Sequence, residues 1–160
     1  IRDSNNTVRW QHKHRQAILS NYKKAPFFDY LEGFFEEALG RAWEWISDLN
    51  TFCVKALTQV LGIDTPLFVA SELGDFPEDP DERLIALTRH FGADTYLAGE
   101  GGRQYMDLDK YREQGVTVLF QDYEHPVYQQ LYGEFVPNLS VVDLIFNHGP
   151  ESLEILRGEK

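Results

Sequence analysis

Apolar positions recur with helical spacing through the first third of the chain, then give way to short apolar runs. Across residues 8–22, Trp10, His14, Ala17 and Ile18 share one helical face while Arg9, Lys13, Arg15 and Gln16 lie mostly elsewhere, which predicts an amphipathic helix with a basic outer side. Pro26 interrupts this pattern and suits the first turn of a second helix through about Ala38, rich in Phe27, Phe28, Tyr30, Leu31, Phe34 and Phe35. Gly40 marks a break. The longest periodic segment follows over residues 41–61, with Trp43, Ile46, Leu49, Cys53, Ala56, Leu57 and Val60 along its apolar face, Asn50 on its inner side and Gly62 as its cap.

After Gly62 the period changes. Residues 66–70, 95–98 and 116–120 read as three short buried strands. Asp79 caps the helix between the first two, with Pro80 at its first position, Glu82 near a capping box and Leu84, Leu87, Thr88 and Phe91 as its inner stripe. Gly92 closes that helix, and Asp107 caps a shorter one ending at Gly115. Strands separated by single helices predict a parallel sheet with right-handed crossovers. The expected fold class is therefore α/β: a small parallel sheet built from helix-Gly-strand repeats, with flanking helices in a Rossmann-like layered architecture. Residues 126–137 read as irregular and tyrosine-rich. Asn138 or Ser140 then caps an apolar helix through Asn147, Gly149 and Pro150 end it, and a last turn or two of helix leads to Lys160. The expectation is one domain over 1–160, with a helical part (1–62), an α/β core (63–125) and a C-terminal helical part (126–160).

Composition narrows the function classes. At 160 residues the chain suits a domain that buries roughly 70% of its unfolded surface. Cys53 is the single cysteine, so no intramolecular disulfide forms, which fits a reducing, cytoplasmic setting. The formal charge of −11 repels nucleic acid and anionic lipid at long range, and no apolar run approaches the ~20 residues of a membrane span. The chain begins without a methionine, which suggests a fragment or a processed form.

Candidate chemistry gathers at the expected carboxyl ends of the strands, where open parallel sheets bind ligands. Ser71 and Glu72 follow the first strand, Gly99–Arg103 the second, and residues 122–125 the third. In the stretch GADTYLAGEGGRQYMD, the amides of Gly99, Gly101 and Gly102 suit close approach to an anion, with Arg103 adding a two-pronged donor and Tyr105 a ring to stack on a sugar. Glu100 opposes that reading, and the spacing matches neither GxGxxG nor a phosphate loop with its Lys-Ser/Thr pair. His125, between Glu124 and Pro126 and near Tyr123, Tyr128 and Tyr132, is the candidate general base; bonding a loop carbonyl is its equal alternative. Asp143 and Asn147, one helical turn apart, are the site candidates of the last apolar helix, Asp143 as a second catalytic residue and Asn147 as a substrate-binding one, joined by Asn138 as a capping or ligand-binding residue. His14 reads as a partly buried histidine satisfied by one hydrogen bond. His12 and His14 point to different sides of a helix, so no metal signature is present, and the cofactor is unknown from the sequence. A sheet this short leaves an edge open for another strand, with self-association as one outcome.

SNYKKAPFF, SDLN, ASEL, GADTYLAGEGGRQYMD, HPVY and EFVPNLSVVDLIFNHG, in that order, resemble the WbqC-like protein family over residues 10–149. Each piece is ordinary, but the ordered series is specific. The family opens with a strand and a His-Gln-Pro segment that this chain lacks, and Ala98 stands where a serine is expected. The resemblance implies a role in bacterial O-antigen or other surface polysaccharide synthesis, with glycyl or acyl transfer to an amino sugar or nucleotide sugar as the implied reaction. The alternative is a non-catalytic binding or assembly module of such a pathway.

Overall fold

Local capping chemistry sets several helix starts in the computed structural model, which describes residues 9–159. In chain order the elements are α1 (Trp10–Tyr22), α2 (Glu32–Gly40), α3 (Ile46–Val60), α4 (Pro80–His90), β1 (Thr95–Ala98), α5 (Leu108–Glu113), β2 (Thr117–Phe120), α6 (Val141–His148) and α7 (Ser152–Leu156). The Asp79 carboxylate accepts from the amides of Asp81 and Glu82, Asp107 caps α5 through Asp109 N, and Ser140 caps α6 through Val142 N. Gly92 takes φ +67° just beyond α4, the left-handed position at which a side chain is strained. Val8 and Lys160, at the ends of the expected helices, lie outside the described residues.

The described residues form two compact units. One is Pro66–Glu124; the other takes in the residues up to Thr65 together with those from His125 onwards. In the first, β1 and β2 pair in parallel with Tyr96 opposite Val118 and Ala98 opposite Phe120, and α5 supplies the crossover. Tyr96, Val118 and Met106 pack on Ile85 of α4, Tyr111 of α5 and Val116. The ends of α4 and α5 are tied by polar contacts: Lys110 Nζ meets Asp79 Oδ2 at 2.7 Å, and the buried Tyr111 hydroxyl donates to Asp81 Oδ1 at 3.1 Å. The bond from Lys110 lowers the Asp79 carboxyl below its ordinary range.

This is a mixed α/β protein with a small parallel sheet and flanking helices, but residues 66–70 do not form its third strand. They belong to no ladder, Leu67 is 44% and Phe68 59% exposed, and Ala70–Glu72 tighten into a 3₁₀ turn. A short apolar run has no intrinsic strand character without a neighbour to pair with; here Phe68 sets its ring against Phe91 at 4.7 Å. Ser71 therefore sits in a 3₁₀ turn rather than after a strand.

The second unit is helical. Its core is built on α6, where Ile145 and Phe146 are fully buried, joined by Leu31 and Ala25. Tyr22, Phe28 and Phe35 place their rings 4.8, 5.4 and 5.8 Å from that of Phe146, whose burial contributes roughly 2 kcal/mol. Two helix boundaries differ from the sequence expectation. Residues 28–31 form a 3₁₀ turn, so α2 starts at Glu32, and residues 41–45 are not helical. Trp43 folds back there, its Nε1 donating to Ala38 O at 2.8 Å while the Arg41 guanidinium stacks 3.6 Å above its ring. Asn50 is exposed rather than inward, and so is His14, which keeps an edge contact with Trp10 at 5.5 Å.

Candidate functional site

The residues singled out from sequence divide between the two units. Ser71, Gly99, Gly101, Gly102, Arg103 and Tyr105 belong to Pro66–Glu124, whereas His125, Asn138, Asp143 and Asn147 belong to the helical unit.

The glycine-rich turn follows β1 directly. Gly99 is extended, with φ −66° and ψ 154°, and Glu100–Gln104 wind into a 3₁₀ turn closed by Gly102 N to Gly99 O at 2.9 Å. Gly102 is buried, and a Cβ there would stand 2.7 Å from Met106 Sδ and 3.3 Å from Phe120 Cε1, so a side chain would have to displace the Met106 thioether. Space is open around Gly99 and Gly101. Arg103 is turned back onto its own loop: Nε donates to Glu100 Oε1 at 2.8 Å, and the guanidinium lies 4.2 Å from the centre of the Phe120 ring. The cation set aside for an anion is thus matched by the carboxylate three residues before it. Tyr105 is 77% exposed.

The helical unit holds a different arrangement. In α6 every residue from Asp143 to Asn147 is buried, so its polar side chains must be satisfied within the protein. Asp143, only 5% exposed, accepts from the Tyr128 hydroxyl at 2.8 Å and from Gln130 Nε2 at 3.2 Å, both on Oδ2. Tyr22 faces the same carboxylate; burial first, then the nearby Asp143, push its phenol up to about 12. Asn147 turns inward along its own helix, Nδ2 donating to Asp143 O at 2.7 Å. Gln130 also acts as a latch: its amide donates to Val136 O at 2.9 Å and accepts from Val136 N at 2.8 Å, closing the loop over residues 130–136.

His125 stands on the Tyr128 side of this network. Its ring stacks on Tyr128 at 6.1 Å and lies 5.8 Å from Phe135, while His148 meets Tyr128 edge-on at 5.7 Å. Nδ1 donates to Pro126 O at 2.8 Å, which in the neutral ring puts the lone pair on Nε2. Asn138, at φ 61° and exposed, is the turn residue before the Ser140 cap. Tyr22, Gln130 and His148 were missed by the sequence reading. For Gln130 and Tyr128 the signal was the polar-aromatic texture of YEHPVYQQLY; Tyr22, on α1, carried none.

Among the described residues, no group of three or more His, Cys, Asp and Glu is placed to hold a metal ion, and no helix is long and apolar enough to cross a membrane. The fold and this polar centre define a small mixed α/β protein with an aromatic-lined histidine and a buried, phenol-bound carboxylate. The chain belongs to the WbqC-like protein family, which it matches over residues 1–155. Rv1507c, an uncharacterized protein of Mycobacterium tuberculosis, is 31% identical to it over 153 residues, 92% of this chain and 64% of that protein. The chain thus spans less than two thirds of that relative's length. No solved structure matches the chain.

Proposed function

We propose that the chain is a transferase in bacterial surface polysaccharide synthesis, O-antigen included, and that its proton-handling centre is His125. The family it belongs to supports the pathway. One observation supports the centre: His125, with Nδ1 anchored on Pro126 O, rests on the ring of Tyr128, whose hydroxyl is held by the buried Asp143. The reaction that suits this arrangement is glycyl or acyl transfer to an amino sugar or nucleotide sugar. His125 Nε2 takes the amine proton as the new N–C bond forms and the activated donor's bond to its leaving group breaks. Asp143 and Asn147, both buried, hold Tyr128 and the helix in place, so Asp143 acts as a positioning residue. Within the Pro66–Glu124 unit, Gly99, Gly101, Gly102, Arg103, Tyr105 and Ser71 are proposed as ligand-binding residues in their own right, and Asn138 belongs to the loop before α6. The reading sets the protein in the cytoplasm.

A second reading has its own support. Because Arg103 is matched by Glu100 and Gly102 is buried against Met106 and Phe120, the glycine turn suits a structural role in a non-catalytic binding or assembly module.

Complementation of a strain lacking the gene with His125→Ala and His125→Gln separates the two. The transferase reading expects polysaccharide output to fall to background with the unfolding temperature kept within a few degrees. Normal output from both variants overturns it in favour of the module.

A further inference from the structure

A groove between α1 and α2 carries charge that no ion pair among the described residues neutralises. Arg15, Ile18 and Leu19 share a face of α1, and Glu32, Phe35, Glu36 and Leu39 follow the i, i+3, i+4, i+7 pattern on α2. These two faces border a cavity of about 90 Å³. Its floor is apolar and only partly covered, formed by Ile18 and Leu19 against Phe35 and Leu39. Its rim holds Arg15 on one wall and Glu32 with Glu36 on the other, all exposed. Among the described residues none of these three enters an ion pair, although the neighbouring Glu37 pairs with Arg41 at 3.9 Å.

We propose that this groove binds a free α-amino acid with an aliphatic side chain. The side chain lies on the apolar floor, the ammonium faces Glu32 and Glu36, and the carboxylate faces the Arg15 guanidinium. Size and charge select this class. The cavity, about 90 Å³, suits a short apolar side chain better than a nucleotide sugar, whose pockets begin at ~300 Å³. Two carboxylates on one wall repel a plain anion, and a plain hydrocarbon leaves all three charges unmatched. A zwitterion with a short apolar body matches both walls and the floor. His125 is not among the residues that line the groove, and the proposal does not depend on the transferase reading.

The test is a titration of L-leucine into the full chain with methyl-labelled isoleucine and leucine, following the Ile18, Leu19 and Leu39 signals. Leucine shifts them saturably and glycine, which lacks the side chain, does not. 3-Methylbutylamine, leucine without its carboxylate, binds about fivefold more weakly, as expected when a solvent-exposed ion pair of ~1 kcal/mol is lost. Arg15→Gln weakens leucine by the same factor and leaves the amine unchanged; Glu36→Gln weakens both. Absence of saturable shifts with leucine overturns the proposal. So do equal affinities for leucine and the amine, or shifts with glycine as large as those with leucine.

Discussion

Two stretches drew attention in the sequence for the same reason, a polar cluster beside an apolar segment, and the fold uses them in opposite ways. In the glycine turn after β1 the charges face each other locally: Arg103 and Glu100 pair three residues apart on half-exposed side chains. In the centre on α6 the polar groups come from distant segments and meet inside the protein, with Tyr22, Tyr128 and Gln130 converging on Asp143. An exposed local pair stabilises little and is easily remade, whereas a buried carboxylate held by several donors is expensive to disturb. Composition alone does not distinguish them; burial does.

The largest effect is expected at the C-terminal end of α6, where the buried centre is held shut. Gly149 sits at φ +52°, and a Cβ there would lie 2.4 Å from Phe27 Cδ1 on a ring packed beneath it. The Phe27 amide is itself bonded to Phe146 O at 3.0 Å, so the ring has little room to withdraw. Gly149→Ala should lose about 3 kcal/mol in denaturant unfolding, combining backbone strain with overpacking, whereas Gly101→Ala on the open turn should be near neutral. Equal losses at the two sites would erase the contrast. Next comes Asp143→Ala, which removes the shared acceptor and leaves the Tyr128 hydroxyl and the Gln130 amide with a bond fewer. About 2 kcal/mol of destabilisation is expected. The Tyr22 phenol, no longer facing a carboxylate, should also titrate below its value of about 12, a change read by tyrosinate absorbance. If stability and titration both stay put, the centre is not a network.

What the sequence made legible follows the range over which each signal acts. Asp79 and Asp107 as helix caps, and Gly92 as a helix stop, need only their near neighbours and were readable in advance, while Ser140 was one of two candidate caps. The strands at 95–98 and 117–120 were readable because each has a partner to pair with; residues 66–70, of the same texture, have none. The start of α3 was misplaced by five residues because Trp43 turns back to Ala38, a contact that periodicity cannot distinguish from a continuing helix. At the candidate site His125, Asp143 and Asn147 could each be named, but their relation runs through Tyr128 and Gln130 and reaches Tyr22 on the first helix. Such convergence is a property of packing across more than a hundred residues, and no local spacing records it.

The smallest expected effect tests whether the glycine turn is as self-contained as its geometry suggests. Glu100→Gln should change stability by less than ~0.5 kcal/mol, because the pair it breaks is exposed to water and salt. Arg103→Gln should lose slightly more, since it also removes the guanidinium from the Phe120 ring. The sharper measurement is binding. A turn whose role is conformational should show no amide shifts over residues 99–105 with inorganic phosphate, in the unaltered chain or in Glu100→Gln. If removing the carboxylate lets phosphate move those amides, then Glu100 stands where an anion would otherwise sit, and the turn is a covered anion site. The exposed turn would then carry a ligand while the buried centre holds its own groups, and burial would no longer separate structure from function in this chain.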